Sequence, residues 1–266
     1  MGKTESIRKQ FATMLEDEGI IVAPGCYDAL SARIIEATGH KCAYMTGFGT
    51  SASLLGLPDM GFITMSEMID NARRIAGALD IPVIADADTG YGNALNVYRT
   101  VREYEQTGVA AIHIEDQTFP KRCGHLEGKE VVSSREMIQK IKAACDARSD
   151  PNFKIIARTD ARSVIGLGEA IRRARAYYDA GADIIFVESP YSVEEFKQIA
   201  EELRGIPLLA NMAEGGKSPM LSADELEKLG YKIVIFPVGL LFSATKAMYS
   251  LAVAMRFKKT DRDVQD

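Results

Sequence analysis

Residues 180–188 read AGADIIFVE, and the same cadence returns at 107–115 as TGVAAIHIE and at 229–237 as LGYKIVIFP. In each, a glycine closes a helical pattern, a short turn follows, and an apolar run rich in isoleucine and valine begins. That is how a chain passes from a helix into a buried strand. Working outward, comparable runs fall at 20–23, 42–45, 83–85, 110–114, 155–157, 184–187, 208–210 and 233–236. Amphipathic helical patterns separate them, among others at 66–76, 93–106, 134–147, 168–180, 192–203 and 222–229. Strand alternating with helix implies parallel pairing and an α/β fold. Eight such units in 266 residues match a (β/α)8 TIM barrel, which needs about 250 residues. An open doubly wound sheet would carry G-x-G-x-x-G after its first strand, where PGCYD stands at 24–28. The expected organisation is one barrel spanning 1–266, with a short N-terminal helix and a polar, frayed tail, FKKTDRDVQD, at 257–266.

Composition narrows the function. The 47% hydrophobic fraction suits a globular chain with a full core. Net charge is −5 with both signs mixed along the chain, which argues against nucleic acid and against a membrane surface. The first residues, MGKTESIRKQ, are too charged for a secretory signal, and no apolar stretch approaches the ~20 residues of a membrane span. Cys26, Cys42, Cys123 and Cys145 show no paired spacing and read as reduced thiols, so a cytoplasmic location is expected.

A barrel carries its chemistry on the loops that follow its strands. Here the strand ends are polar one after another: Tyr44-Met45-Thr46-Gly47, Asp86-Ala87-Asp88, His113-Ile114-Glu115-Asp116, Arg158-Thr159-Asp160, Glu188-Ser189 and Asn211. A single Asp at such a place is usually a turn former or helix cap, and Asp116 and Asp160 are read that way individually. Six loaded ends on one rim mark a site. Asp86 and Asp88, two apart in extended chain, would face one side, and Glu115 brings a third carboxylate beside them. Crowded carboxylates repel unless a positive charge compensates, and hard oxygen donors of this kind suit Mg²⁺, with Mn²⁺ as a substitute. Separate ion pairs to Arg158 and Lys121 are the other way to neutralise them. Asp59 is a candidate fourth member.

The segment 117–128, QTFPKRCGHLEG, is long for a barrel loop and suits a lid. Its thiol, Cys123, is flanked by Lys121, Arg122 and His125, an electropositive setting that favours proton exchange. The Cys123–His125 pair also raises nucleophilic hydrolysis, but no G-x-S-x-G elbow accompanies it. His113 reads as structural.

Taken in order, ADADTGYGN, IHIEDQ, KRCGH, ARTDA, FVESP and NMAEGG resemble the isocitrate lyase/phosphoenolpyruvate mutase superfamily, over nearly the whole chain. The resemblance implies a barrel whose last helix is exchanged between subunits, assembled as a homotetramer (a dimer of dimers). It implies a Mg²⁺ site at Asp86, Asp88 and Glu115, with Asp59 acting through water. Tyr44, Thr46, Gly47 and Phe48 would grip an α-keto acid, largely through backbone N–H groups. Arg158 would bind substrate, Glu188 and Asn211 would line the pocket, and Lys121, Cys123, Gly124 and His125 would form the gating loop. In the lyases of the family this loop carries Cys as general acid, whereas a phosphonomutase carries Asn. Cys123 therefore implies a carbon–carbon lyase acting on a small-molecule 2-hydroxy di- or tricarboxylate, of the 2,3-dimethylmalate or 2-methylisocitrate kind. Oxaloacetate hydrolysis or decarboxylation and phosphonomutase chemistry are the alternatives on the same scaffold. A carboxylate-binding protein without catalysis would not need Cys123.

Overall fold

The computed structural model describes residues 2–124 and 127–262. In chain order the elements are α1 (Lys3–Glu16), β1 (Ile21–Cys26), α2 (Ala29–Ala37), β2 (Ala43–Met45), α3 (Gly47–Leu55), α4 (Met65–Ala78), β3 (Val83–Asp86), α5 (Ala94–Glu105), β4 (Ala111–Glu115) and α6 (Ser134–Ala147). They continue with β5 (Lys154–Thr159), α7 (Ala161–Val164), α8 (Leu167–Asp179), β6 (Ile184–Val187), α9 (Val193–Glu202), β7 (Leu208–Asn211), α10 (Ala223–Leu229), β8 (Ile233–Phe236) and α11 (Gly239–Lys258). The strands are parallel and consecutive, and β8 closes onto β1 through Ile21↔Ile233 to Pro24↔Phe236. Closure excludes the open doubly wound sheet. The fold is a (β/α)8 barrel.

Helices start where their caps dictate. Thr64 and Glu67 form a capping box ahead of α4, Ser222 and Glu225 do so ahead of α10, and the Asn93 side chain caps α5. The tail departs from expectation, because α11 runs on to Lys258 and takes in the first two residues of the segment read as frayed. Residues 263–266 lie outside the described part.

Strand alternation separates two cores. Ile155, Ala157, Ile185 and Val187 face outward to the helices, within the larger apolar cluster. Ile84, Ala111, Ile156, Ile184, Phe186 and Leu209 point inward and fill the barrel. Continuing the same alternation up each strand brings Asp86, His113, Glu115, Arg158, Glu188 and Asn211 onto the inner side at the carboxyl rim. The interior thus changes from isoleucine to charge within one or two residues. That change places the site.

The opposite mouth is sealed by α1, whose Phe11 is fully buried in the inner cluster beside Ile21, Ile156 and Ile233. Phe11→Ala is expected to cost about 3–5 kcal/mol in urea unfolding, the usual toll of an aromatic removed from a core. Turnover per folded molecule should be unchanged, since Phe11 belongs to the barrel's other end.

Candidate active site

The rim encloses a cavity of ≈ 110 Å³ lined by Tyr44, Thr46, Phe48, Asp59, Asp86, Cys123, Gly124, Arg158, Glu188, Asn211, Ala213, Glu214, Gly215, Gly216, Pro237, Val238 and Phe242. One wall is polar. The other, made by Phe48, Ala213, Pro237, Val238 and Phe242, is apolar, with Phe48 and Phe242 meeting edge to face at 6.1 Å.

Tyr44, Thr46 and Phe48 reach the cavity as expected, but the stretch is not a loop. Thr46 caps α3, so Gly47 and Phe48 are its first turn, where backbone N–H groups point outward and favour an anion. Gly47 N–H donates to Asp86 Oδ2 at 3.1 Å, which ties the start of α3 to the end of β3. A Cβ at Gly47 would lie 2.8 Å from Asp86 Cγ, which explains the glycine. The Tyr44 hydroxyl lies 2.8 Å from His113 Nε2, and the same nitrogen is 3.5 Å from Asp86 Oδ1. Burial lowers the His113 pKa, so its imidazole is uncharged at neutral pH, and burial raises the Tyr44 phenol well above its usual value. His113, read as structural, is fully buried outside the cavity lining, where it supports Tyr44. Counting every second residue of β4 inward would have found it.

Asp86 and Asp88 do converge, but not by extended-chain alternation. β3 ends at Asp86, and Asp88 turns back with φ +46° while its N–H donates to Asp86 Oδ1 at 2.9 Å. Tyr91 (φ +60°) and Ser189 (φ +55°) adopt the same strained region on this rim, and each such residue costs about 1–3 kcal/mol. Lys121 lies deep among the acids, with Nζ 2.5 Å from Asp59 Oδ1 and 2.7 Å from Asp88 Oδ1. Arg158 faces Glu115 at 3.3 Å, Asp160 at 2.9 Å and Glu188 at 3.2 Å. It also lies 5.1 Å over the Phe186 ring. As the side chains stand, then, Lys121 and Arg158 neutralise the carboxylates, and only Asp59 and Asp86 of the proposed metal set line the cavity. Among the described residues no three His, Cys, Asp or Glu side chains converge closely enough to enclose a metal.

The residue chemistry still fits a cation. Asp59, Asp86, Asp88, Glu115, Asp160 and Glu188 are buried carboxylates about the rim, with Lys121, Lys129 and Arg158 paired among them. Glu115 Oε1 has no hydrogen-bond partner, and Asp88 Oδ1 meets the Lys121 ammonium without hydrogen-bond geometry. Burial pushes the Asp88 carboxyl up to about 7 and the Glu115 carboxyl well above its usual value. Lys121 is held protonated against burial by Asp88, Asp59 and Glu115. A buried carboxylate oxygen with no donor, beside carboxyls that burial keeps from ionising, is a place where a bound cation would complete the set.

The loop after β4 is folded down over the cavity. Gln117 pairs with Val131 at its base, Cys123 N–H donates to the Asp59 carbonyl at 3.0 Å, and Gln117 exchanges two hydrogen bonds with the Arg122 backbone. Cys123 is half-buried and lines the cavity with Gly124. His125 lies outside the described residues.

Asp160 does stand at the N-cap position of α7, but the side chains of Asp116 and Asp160 do more than cap or turn the chain. Asp160 gives α7 no side-chain cap and instead takes Arg158 Nε at 2.9 Å and Lys129 Nζ at 2.7 Å. Asp116 accepts from Asp160 N–H at 2.8 Å, Thr159 Oγ1 at 2.8 Å, Tyr177 Oη at 2.8 Å and Arg173 Nη1 at 3.0 Å. It anchors the end of β5 to α8. Lys129 carried no signal in the sequence: a lone lysine after a glycine reads as surface.

The family model described as phosphoenolpyruvate phosphomutase matches residues 11–256. The chain belongs to the PEP mutase/isocitrate lyase superfamily. Within that superfamily it is 53% identical to 2,3-dimethylmalate lyase of Eubacterium barkeri over 253 residues, which covers 95% of this chain and 87% of the relative. A solved oxaloacetate acetylhydrolase bound to 3,3-difluorooxalacetate superposes with a TM-score of 0.92 at 42% identity, covering 95% of this chain and 87% of the other. A phosphonopyruvate hydrolase in complex with oxalate and Mg²⁺ superposes with a TM-score of 0.87 at 33% identity, covering 100% of this chain and 90% of the other.

Proposed function

We propose that the chain is a Mg²⁺-dependent carbon–carbon lyase that splits a 2-hydroxydicarboxylate of the 2,3-dimethylmalate kind into pyruvate and a saturated carboxylate. The observation that carries this is the position of Cys123: a thiol on a closed loop, lining the same cavity as Tyr44, Asp86 and Arg158 and as the apolar residues Phe48, Pro237 and Phe242. The relationship to a dimethylmalate lyase supports the same reading.

Asp86, Asp88 and Glu115, with Asp59 nearby, would hold Mg²⁺. When bound, the ion supplies positive charge that steadies the developing α-keto acid. The first turn of α3 at Thr46–Phe48 and the Tyr44 hydroxyl orient the hydroxy-acid end. A rim carboxylate takes the 2-hydroxyl proton, the electron pair on oxygen forms the keto C=O, and the C2–C3 bond breaks in the retro-aldol sense, leaving the departing carboxylate as an enediolate. Arg158, fixed in its plane by Asp160 and Glu188, stabilises that charge. Cys123 Sγ–H then gives its proton to the carbanion carbon, while the closed loop and the Gly124 backbone exclude water. Glu188 and Asn211, with Asn211 Nδ2 3.2 Å from Glu188 Oε2, shape the floor.

The apolar wall suits methyl substituents on the departing half. Arg158 is the cation that lines the cavity among the described residues, which matches a dicarboxylate better than a tricarboxylate such as 2-methylisocitrate. A second reading, oxaloacetate hydrolysis, is favoured by the likeness to the acetylhydrolase, but that substrate would leave the apolar wall bare. A panel of 2,3-dimethylmalate, 2-methylisocitrate and oxaloacetate with Mg²⁺, followed by α-keto acid release, separates them. Dimethylmalate is expected to give the highest kcat/KM; oxalate and acetate as products from oxaloacetate alone would overturn the lyase reading.

Met248, Tyr249, Met255 and Phe257 are exposed on α11, which buries Leu241 alone among its described residues. This supports exchange of α11 between subunits and a homotetramer. No helix of the described residues is long and apolar enough to cross a membrane; the proposed location is the cytoplasm.

A further inference from the structure

Lys129 stands on the returning limb of the loop that carries Cys123, and its side chain runs inward. Its ammonium is buried, donates to Asp160 Oδ1 at 2.7 Å and donates to the carbonyl of Gly124. A buried ammonium persists only with good partners, so this contact is built into the fold. Asp160 turns its carboxylate to Arg158 as well, with Oδ2 accepting from Nε at 2.9 Å and Oδ1 from Nη2 at 3.2 Å. A second line starts from the same carbonyl. Gly124 O accepts from Ser189 Oγ at 3.3 Å, Ser189 N–H donates to Glu188 Oε1 at 2.7 Å, and Glu188 Oε2 lies 3.2 Å from Arg158 Nη1. Gly124 has no room for a side chain here, since a Cβ would come within 2.7 Å of Glu188 Cγ. One carbonyl, a residue beyond the thiol, is pinned from two sides, and both lines end at Arg158.

We propose that Lys129 is a positioning residue that latches the Cys123 loop to Asp160, so that the thiol is placed only when Arg158 is correctly oriented. The catalytic consequence rests on the lyase reading; the latch itself is a property of the loop. A substrate carboxylate that fixes Arg158 also fixes Asp160, and Asp160 then holds Lys129 and Gly124 in the closed arrangement. The proton donor arrives with the substrate it serves.

The test compares Lys129→Met, which keeps the stem and removes the charge, with Lys129→Arg, whose guanidinium reaches the same carboxylate. Closure is read by iodoacetamide labelling of Cys123 and by tryptic cleavage after the exposed Arg122, with the buried Cys26 and Cys42 as internal references. Lys129→Met should label and cleave about 10- to 100-fold faster, the effect of losing a hydrogen bond to a charged group. Lys129→Arg should return to within about threefold of the parent. With a turned-over substrate, kcat should fall about tenfold in Lys129→Met while KM stays within about threefold, as for an interaction made in the closed state. Unchanged labelling and cleavage in Lys129→Met would overturn the latch, as would equal acceleration at Cys26 and Cys42, which signals general loosening. A parent chain without lyase activity whose labelling still depends on Lys129 would remove the lyase reading and uphold the latch.

Discussion

Cys123→Ser is expected to lower C–C cleavage by about 10²–10⁴-fold, the usual contribution of a positioned general acid. The substitution keeps size and a hydrogen-bonding group, yet a hydroxyl is a far weaker acid than a thiol. The residue touches the cavity without closing it, so the polar wall of Tyr44, Asp86 and Arg158 stays in place. Binding of pyruvate with Mg²⁺, followed by calorimetry, should therefore be within about threefold of the parent. Full turnover in Cys123→Ser would remove the thiol from the mechanism. Loss of both binding and turnover would instead give Cys123 a role in holding the loop.

The second large effect is expected from chelation. Excess EDTA should bring turnover to background, with Mg²⁺ restoring it and Mn²⁺ doing so in part. The reason lies in the acids themselves: Asp86, Asp88 and Glu115 are buried at the rim, and Glu115 Oε1 has no hydrogen-bond partner. A cation bound only by the folded chain stabilises it by about 2.7 kcal/mol at a hundred times its dissociation constant. Melting temperature should rise with Mg²⁺ accordingly, a measurement independent of activity. A chelated protein that turns over normally and melts unchanged would leave Lys121 and Arg158 as sufficient partners for the acids.

Much of this was written in the apolar pattern. Glycine-stopped helices followed by isoleucine-rich runs gave the eight strands, and strand ends such as Arg158 and Glu188 marked the rim, because strand periodicity obliges a residue two beyond a core isoleucine to face the core as well. What escaped were features set by contact across the barrel. Asp88 reaches the rim through a left-handed turn, which extended-chain counting does not foresee. Lys121 is drawn down from the gating loop between Asp59 and Asp88, an ion pairing the sequence did offer as the alternative to a metal, because their charge outweighs its own cost of burial. Asp160 holds the cap position of α7, but its side-chain partners, Arg158 and Lys129, come from a neighbouring position and a distant loop. Thr46 had the look of a loop residue, but its hydroxyl starts a helix.

The Phe11 plug has a bearing on how such a scaffold changes over time. Cohesion is lodged at one mouth and chemistry at the other, so the rim loops can be exchanged without spending the barrel's cohesion. Grafting the segments after β7 and β8 from an oxaloacetate-hydrolysing relative is then a local edit. Strengthening contacts beneath α1 would widen the range of rim sequences the scaffold tolerates, turning a sealed floor into a reserve of evolvability.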